Sequence, residues 1–165
     1  MQHTTYIGIG SNLGVPEKNC TDAIVKLAAH PDLSLKARSP FYKTRPVGPI
    51  EQEWFVNAAL KVQTRLSPHD LLGILLNTEK EMGRVRKEKW GPRLIDLDLL
   101  FYDNLVLSSQ GLILPHPEIS NRRFVLAPLC DIAEDLFHPT LKKTVKDLLY
   151  ELTDDAEVSR LPDLT

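Results

Sequence analysis

From Leu94 to Tyr102 the chain reads LIDLDLLFY, an apolar run broken by two acids two positions apart, and this segment constrains any fold that accepts it. Its length and composition predict a buried strand. Side chains alternate across a strand, so Asp96 and Asp98 share one face while Ile95, Leu97 and Leu99 share the other. One face is oily and the other acidic. Neighbouring carboxylates on an otherwise apolar surface repel each other and lose hydration unless a cation sits between them. A hard divalent ion meets that need: magnesium takes one or two protein carboxylates, keeps several waters and gives its remaining positions to substrate phosphates.

The preceding residues, Arg84 to Arg93, hold five basic side chains and one acid, interrupted by Trp90, Gly91 and Pro92. Guanidinium groups grip phosphates through paired hydrogen bonds, so the acidic strand and the cationic loop together predict a site for a metal-bound polyphosphate. The competing reading is a structural cluster in which the two acids pair with Arg84, Arg86 or Arg93, at a cost in desolvation.

A length of 165 residues, 42% of them hydrophobic, predicts a single domain over 1–165 with a sizeable core. The net charge of -2 argues against a general binder of nucleic acid or membrane surfaces, so the basic loop should address a small anion. A nucleic-acid module stacking bases on Trp90 is the rival from another class, but two acids beside the loop would repel a phosphate backbone. Cys20 and Cys130 are far apart and lack metal-binding spacing, which suits buried, unpaired thiols in a reducing cytoplasm. The start, MQHTTYIGIG, has no basic segment leading into a long apolar run, and no 18 consecutive residues are apolar; a cytoplasmic protein is expected.

Thr4 to Gly10 reads as a strand, but Gly8, Gly10 and Gly14 do not have the G-x-G-x-x-G spacing of a dinucleotide fold. Pro16 to His30 has a helical stripe of Ala23, Ile24, Leu27 and Ala28. Leu33 to Tyr42 is extended with an interruption at Ser39-Pro40, and Lys43 to Glu53, with Pro46, Gly48 and Pro49, should be a long loop. Trp54 to Gln63 reads as a strand whose polar member, Asn57, must be hydrogen-bonded if buried, either as a structural tie or to a ligand. Ser67 to Met82 opens with a capping serine and Pro68, carries Leu71, Leu72, Leu75 and Leu76 on one stripe, and ends at Gly83. Short extended pieces at Leu105 to Leu107 and Leu112 to Pro115 lead to His116-Pro117, where a histidine near Arg122 either meets a phosphate or is an exposed loop residue. A short helix within Val125 to Ala133 and another over Thr144 to Leu152 complete the order, and the polar last dozen residues should be loose.

The segment Lys89-Trp90-Gly91-Pro92-Arg93-Leu94-Ile95-Asp96-Leu97-Asp98-Leu99-Leu100 resembles the signature of the 6-hydroxymethyl-7,8-dihydropterin pyrophosphokinases. Supporting pieces are Gly10-Ser11-Asn12-Leu13, Phe41 to Thr44, Pro46-Val47-Gly48, Phe55 to Ala58, Gly83 to Lys87 and Pro115-His116 with Asn121-Arg122. The similarity runs from Tyr6 to about Pro139. It implies an α+β fold with a ferredoxin-like core, an antiparallel sheet flanked by helices, plus additional strands and a C-terminal helix. It also implies transfer of pyrophosphate from ATP to the hydroxymethyl group of a reduced pterin, giving AMP, in folate biosynthesis.

By the same resemblance, two Mg2+ ions sit on Asp96 and Asp98, and Arg84 and Arg93 stabilise the bridging and transferred phosphates. Leu72, Glu79, Arg86, Lys87, Trp90, Leu99, His116 and Arg122 fall on the ATP side. Thr44, Arg45, Val47, Gly48, Phe55, Asn57, Trp90, Asp96 and Phe124 fall on the pterin side. The loops Lys43 to Glu53 and Arg84 to Arg93 should act as lids over a monomer that needs neither nucleic acid nor membrane. The chain departs from the family at Arg45, where relatives can have proline, at Pro117, where some have an aromatic, and at Gly111 and Ile113, where some place Arg and Thr.

Overall fold

The computed structural model describes residues 1–46, 48–49, 51–83, 94–153 and 157–162. The chain runs β1 (His3–Ser11), α1 (Pro16–Ala29), β2 (Leu33–Arg38), β3 (Tyr42–Thr44), β4 (Phe55–Thr64), α2 (Pro68–Glu81) and β5 (Asp96–Tyr102). It continues with β6 (Leu107–Ser109), β7 (Leu112–Leu114), a 3-10 turn over Ile119–Asn121, α3 (Arg123–Ala133), β8 (Phe137–His138), β9 (Lys143–Thr144), α4 (Val145–Glu151) and β10 (Val158–Arg160). The main sheet has the order β10-β3-β4-β1-β5, and β2 also pairs with β4. All its pairings are antiparallel. With β2 and β3 counted as one interrupted strand, this is the βαββαβ ferredoxin-like core.

The helices begin where local chemistry dictates. Pro16 and Pro68 occupy first-turn positions, where a missing N–H costs nothing, and the Ser67 hydroxyl accepts from the Asp70 N–H at 3.2 Å. The break between β2 and β3 falls at Ser39-Pro40, where proline removes a ladder donor. Buried Ser39 repairs the gap: its N–H donates to Ala59 O at 2.9 Å, and its Oγ accepts from the Ala59 N–H at 2.9 Å.

Two cores form on opposite faces of the sheet. Ile7, Ile9, Leu97 and Leu99 pack with Ala23, Leu27, Leu71 and Leu75 of α1 and α2. Tyr6, Leu100 and Phe101 pack with Leu126, Leu129, Val145 and Leu148 of α3 and α4. The β1–β5 register shifts between Tyr6 and Ile7, skipping Leu100, and this bulge puts Leu100 and Phe101 in the same core. Ahead of the bulge the alternation holds: Leu97 and Leu99 are buried while Asp96 and Asp98 are only partly buried.

Four expectations change. The strand expected at Leu105 to Leu107 lies at Leu107–Ser109, because Leu105 is taken up by a turn in which its N–H donates to Tyr102 O at 3.0 Å. Lys43 and Thr44 belong to β3 rather than to the following loop. The third helix begins at Arg123, before Val125, and carries Pro128 in its interior. The tail is not uniformly loose, because Val158–Arg160 form β10 against β3. Both cysteines are free thiols, but only Cys20 is buried, while Cys130 on α3 is partly exposed; burial pushes the Cys20 thiol up to about 12. Among the described residues no helix is long and apolar enough to cross a membrane.

Candidate active site

The acidic face of β5 becomes a site through what lies beside it. In the three-strand register Gly10 stands between Asn57 on β4 and Asp96 on β5, and Gly8 stands between Ala59 and Asp98. A leucine-sized side chain buried at either glycine would contribute roughly 1.5–3 kcal/mol, so the sheet forgoes packing there and leaves a slot. At Gly10 an added side chain would also displace its neighbour: a Cβ would come within 2.6 Å of Asn57 Oδ1. The slot is lined by Gly8, Gly10, Asn57, Asp96 and Asp98 below and by Phe124 and Val125 at the start of α3. Asn57 is buried, and its Nδ2 donates to Thr44 Oγ1 at 2.6 Å, which leaves Oδ1 over Gly10. Arg122 lies over the Phe124 ring at 5.7 Å.

On the outer side of β5 lies a cleft of about 350 Å³, at the small end of the range for ligand sites. Leu72, Leu76 and Glu79 of α2 form one wall; Ser109, Gly111, Leu112 and Ile113 of the β6–β7 hairpin form the other, with His116 and Pro117 at one end. Asp96, Leu97, Asp98 and Leu99 make its floor. Among the described residues, Asp96 and Asp98 are the two that line both the cleft and the slot. Glu79 is buried, and its Oε2 accepts the Leu97 N–H at 2.8 Å, fastening α2 to the edge strand.

His116 Nδ1 accepts from the Glu118 N–H at 3.1 Å, so in the neutral ring Nε2 carries the proton. Burial, reinforced by the Arg122 charge, lowers the His116 pKa against the opposing pull of Glu118 and Asp96. His116, Arg122 and Asp96 therefore share one electrostatic neighbourhood at the end of the cleft.

Residues 6–134 match the family model described as 7,8-dihydro-6-hydroxymethylpterin-pyrophosphokinase (HPPK). A 2-amino-4-hydroxy-6-hydroxymethyldihydropteridine pyrophosphokinase of Methylorubrum extorquens is 46% identical over 79% of this chain and 83% of its own. One of Haemophilus influenzae is 38% identical over 96% and 99%. The chain belongs to the HPPK family. Its reaction is accordingly pyrophosphoryl transfer to hydroxymethyldihydropterin, in folate biosynthesis. The HPPK fold is seen independently in the crystal structure of Plasmodium falciparum HPPK-DHPS wild type with pteroate, with a TM-score of 0.74 at 13% identity. That match covers 92% of this chain and 42% of the other.

Of the site residues that the HPPK resemblance implies, the structure brings Leu72, Glu79, Asp96, Asp98, Leu99 and His116 to the cleft, and Asn57, Asp96, Asp98 and Phe124 to the slot. Thr44 stands behind Asn57. Arg45 turns outward to Glu157 at 3.1 Å, and neither it, Gly48 nor Phe55 lines the slot. Val47, Arg84, Arg86, Lys87, Trp90 and Arg93 lie outside the described residues. Sequence reasoning missed Gly8 and Gly10 as the slot floor, Leu76 and Ser109 in the cleft, and Asn12. Buried Asn12 donates to Gln52 Oε1 at 2.8 Å and Glu53 O at 2.9 Å, tying the segment before β4 to the end of β1. The glycine parity was the available signal: Gly8 and Gly10 recur at the strand period, as Asp96 and Asp98 do.

Proposed function

We propose that the outer cleft takes ATP, that the slot takes the reduced hydroxymethyl pterin, and that two Mg2+ ions bind at Asp96 and Asp98. The observation that carries this reading is that the two carboxylates line both spaces, so a phosphate chain in one and a hydroxymethyl group in the other would meet over them. The donor set fits magnesium: two carboxylates leave most of the coordination shell for water and phosphate oxygens, as expected of a metal delivered with its nucleotide. When bound, the metal would neutralise charge on the phosphate oxygens.

The rest is positioning, which phosphoryl transfer chiefly requires. The hydroxymethyl oxygen loses its proton and forms a bond to the β-phosphorus, while the bond from that phosphorus to the oxygen bridging to the α-phosphate breaks and AMP leaves. Leu72, Leu76 and Leu99 supply apolar walls for the nucleotide base. His116 donates its Nε2 proton towards the phosphates without adding a second charge, and Arg122 supplies one. Asn57, with its amide direction set by Thr44, offers Oδ1 to the amino edge of the pterin, and Phe124 stacks on the ring. Arg84 and Arg93 are assigned to the bridging and transferred phosphates, with Arg86, Lys87 and Trp90 assisting at ATP and Val47 and Trp90 at the pterin. We further propose a single-domain, monomeric, cytoplasmic enzyme with no nucleic-acid or membrane partner, in keeping with a net charge of -2.

The test is AMP release from ATP, measured with and without the hydroxymethyl pterin and with magnesium added or chelated. Release should need both, and Asp98→Asn should lower turnover by on the order of 10²–10³ or more while the far-UV spectrum is unchanged. Undiminished turnover in that variant would exclude the metal role.

A further inference from the structure

The strand β3 is only three residues long, yet it carries Thr44, the residue that orients Asn57. It pairs with β4 on one edge and with β10 on the other. The outer pairing extends beyond both strand ends, since the Arg45 N–H donates to Glu157 O at 3.1 Å and the Leu161 N–H to Phe41 O at 2.8 Å. Side chains reinforce it. The Tyr42 hydroxyl donates to Asp131 Oδ2, Arg160 Nη2 donates to Asp131 Oδ1 at 2.7 Å, and Arg160 Nε and Nη2 each lie 3.4 Å from the Tyr42 hydroxyl oxygen. Tyr42 is buried and is the cross-strand partner of Asn57, while Asp131 sits on α3, the helix that presents Phe124.

We propose that the C-terminal strand is part of the pterin pocket, and that Arg160, Asp131 and Tyr42 form a positioning lock that holds Thr44 against Asn57 and fixes α3 beside them. The inference rests on assigning the slot to the pterin. Two of the groups that orient the slot, Thr44 and Phe124, sit on separate elements, β3 and α3, and this lock joins both elements to the chain's last strand. Short strands with few buried contacts open readily, so a substrate-reading amide mounted beside one needs such support. Burial first, and then the bond to Asp131, raises the Tyr42 hydroxyl pKa, which keeps it a donor. The nucleotide cleft lies at the opposite edge of the sheet, on β5 and α2, and does not depend on the lock.

The experiment measures pterin binding by fluorescence, in the presence of magnesium and a non-hydrolysable ATP analogue, and binding of that analogue separately. The variants are Tyr42→Phe, Arg160→Ala, Arg160→Lys, the Tyr42→Phe/Arg160→Ala double and Asn57→Ala. Tyr42→Phe and Arg160→Ala should each weaken pterin binding about 5- to 30-fold with analogue affinity within about two-fold of wild type. The double variant should be little worse than either single one, because both break the same lock, and Arg160→Lys should recover most of the loss. Unchanged pterin binding, equal loss for both ligands, or losses that multiply in the double variant would each overturn the lock. Unchanged pterin binding in Asn57→Ala would overturn the slot assignment itself, a result distinguishable from failure of the lock alone.

Discussion

Gly10 lies directly beneath the Asn57 amide, so close that a single added carbon would sit 2.6 Å from Oδ1. Gly10→Ala should therefore turn the amide away from the slot or part it from Thr44, and either displacement leaves a buried polar group unpaired. The expected cost is about 1–3 kcal/mol, felt as a rise of roughly 5- to 150-fold in the pterin KM. Steady-state kinetics with each substrate varied in turn checks this; an unaltered pterin KM would mean that Asn57 does not read the substrate.

Glu79 holds the edge strand through its bond to the Leu97 N–H. Glu79→Leu keeps the volume but orphans that donor, so the unfolding free energy should fall by about 1–3 kcal/mol in urea titrations. Glu79→Gln retains an acceptor and should keep most of the stability. Equal losses in the two variants would show that the charge, rather than the hydrogen bond, is what matters.

Ser39 does for β4 what a backbone partner would otherwise do, because its hydroxyl accepts the Ala59 N–H inside the sheet. Ser39→Ala should destabilise the fold by about 1–3 kcal/mol while leaving both substrate affinities near wild type. Denaturant midpoints and binding measured on the same sample separate the two effects.

Two histidines make stability depend on pH. His138 Nδ1 accepts from the Thr140 and Leu141 N–H groups at 3.2 and 3.0 Å, and burial lowers its pKa, as it does for His116. A base whose pKa is lowered by folding takes up its proton more readily when unfolded. Stability is therefore fully present above about pH 6.5, falls as the pH drops from there to the folded pKa, and levels off below it. Urea midpoints between pH 7.5 and 5 should show that decline. His138→Asn, which offers an amide oxygen to the same donors without titrating, should flatten it; an unchanged slope would remove His138 from the account.

What the sequence made legible was whatever is encoded locally. Pro16, Ser67 and Pro68 mark the starts of α1 and α2 correctly because capping and proline chemistry act within one turn. The shared face of Asp96 and Asp98 follows from strand parity alone. β10 and the β8–β9 pair were not legible, since strands of two or three residues owe their existence to partners brought near by the rest of the fold. Gly8 and Gly10 were read as strand residues that fail a nucleotide motif, and Gly10 also as part of a family segment, but not as the slot floor, because that role depends on β1 lying between β4 and β5. Of the two readings of Asn57, the structural tie is present, made to the Thr44 side chain rather than to backbone; the ligand-reading role is the proposed one, with Asn57 placed in the slot lining.

The row from Asn57 through Gly10 to Asp96 crosses three adjacent strands. Neighbouring strands lie about 4.8 Å apart, so its two end residues are held roughly 10 Å from each other by peptide hydrogen bonding rather than by any side chain. The sheet thus acts as a ruler for whatever molecule touches both ends. Substitution can change what grips that molecule, but only a rebuilt strand pairing could change how long it must be.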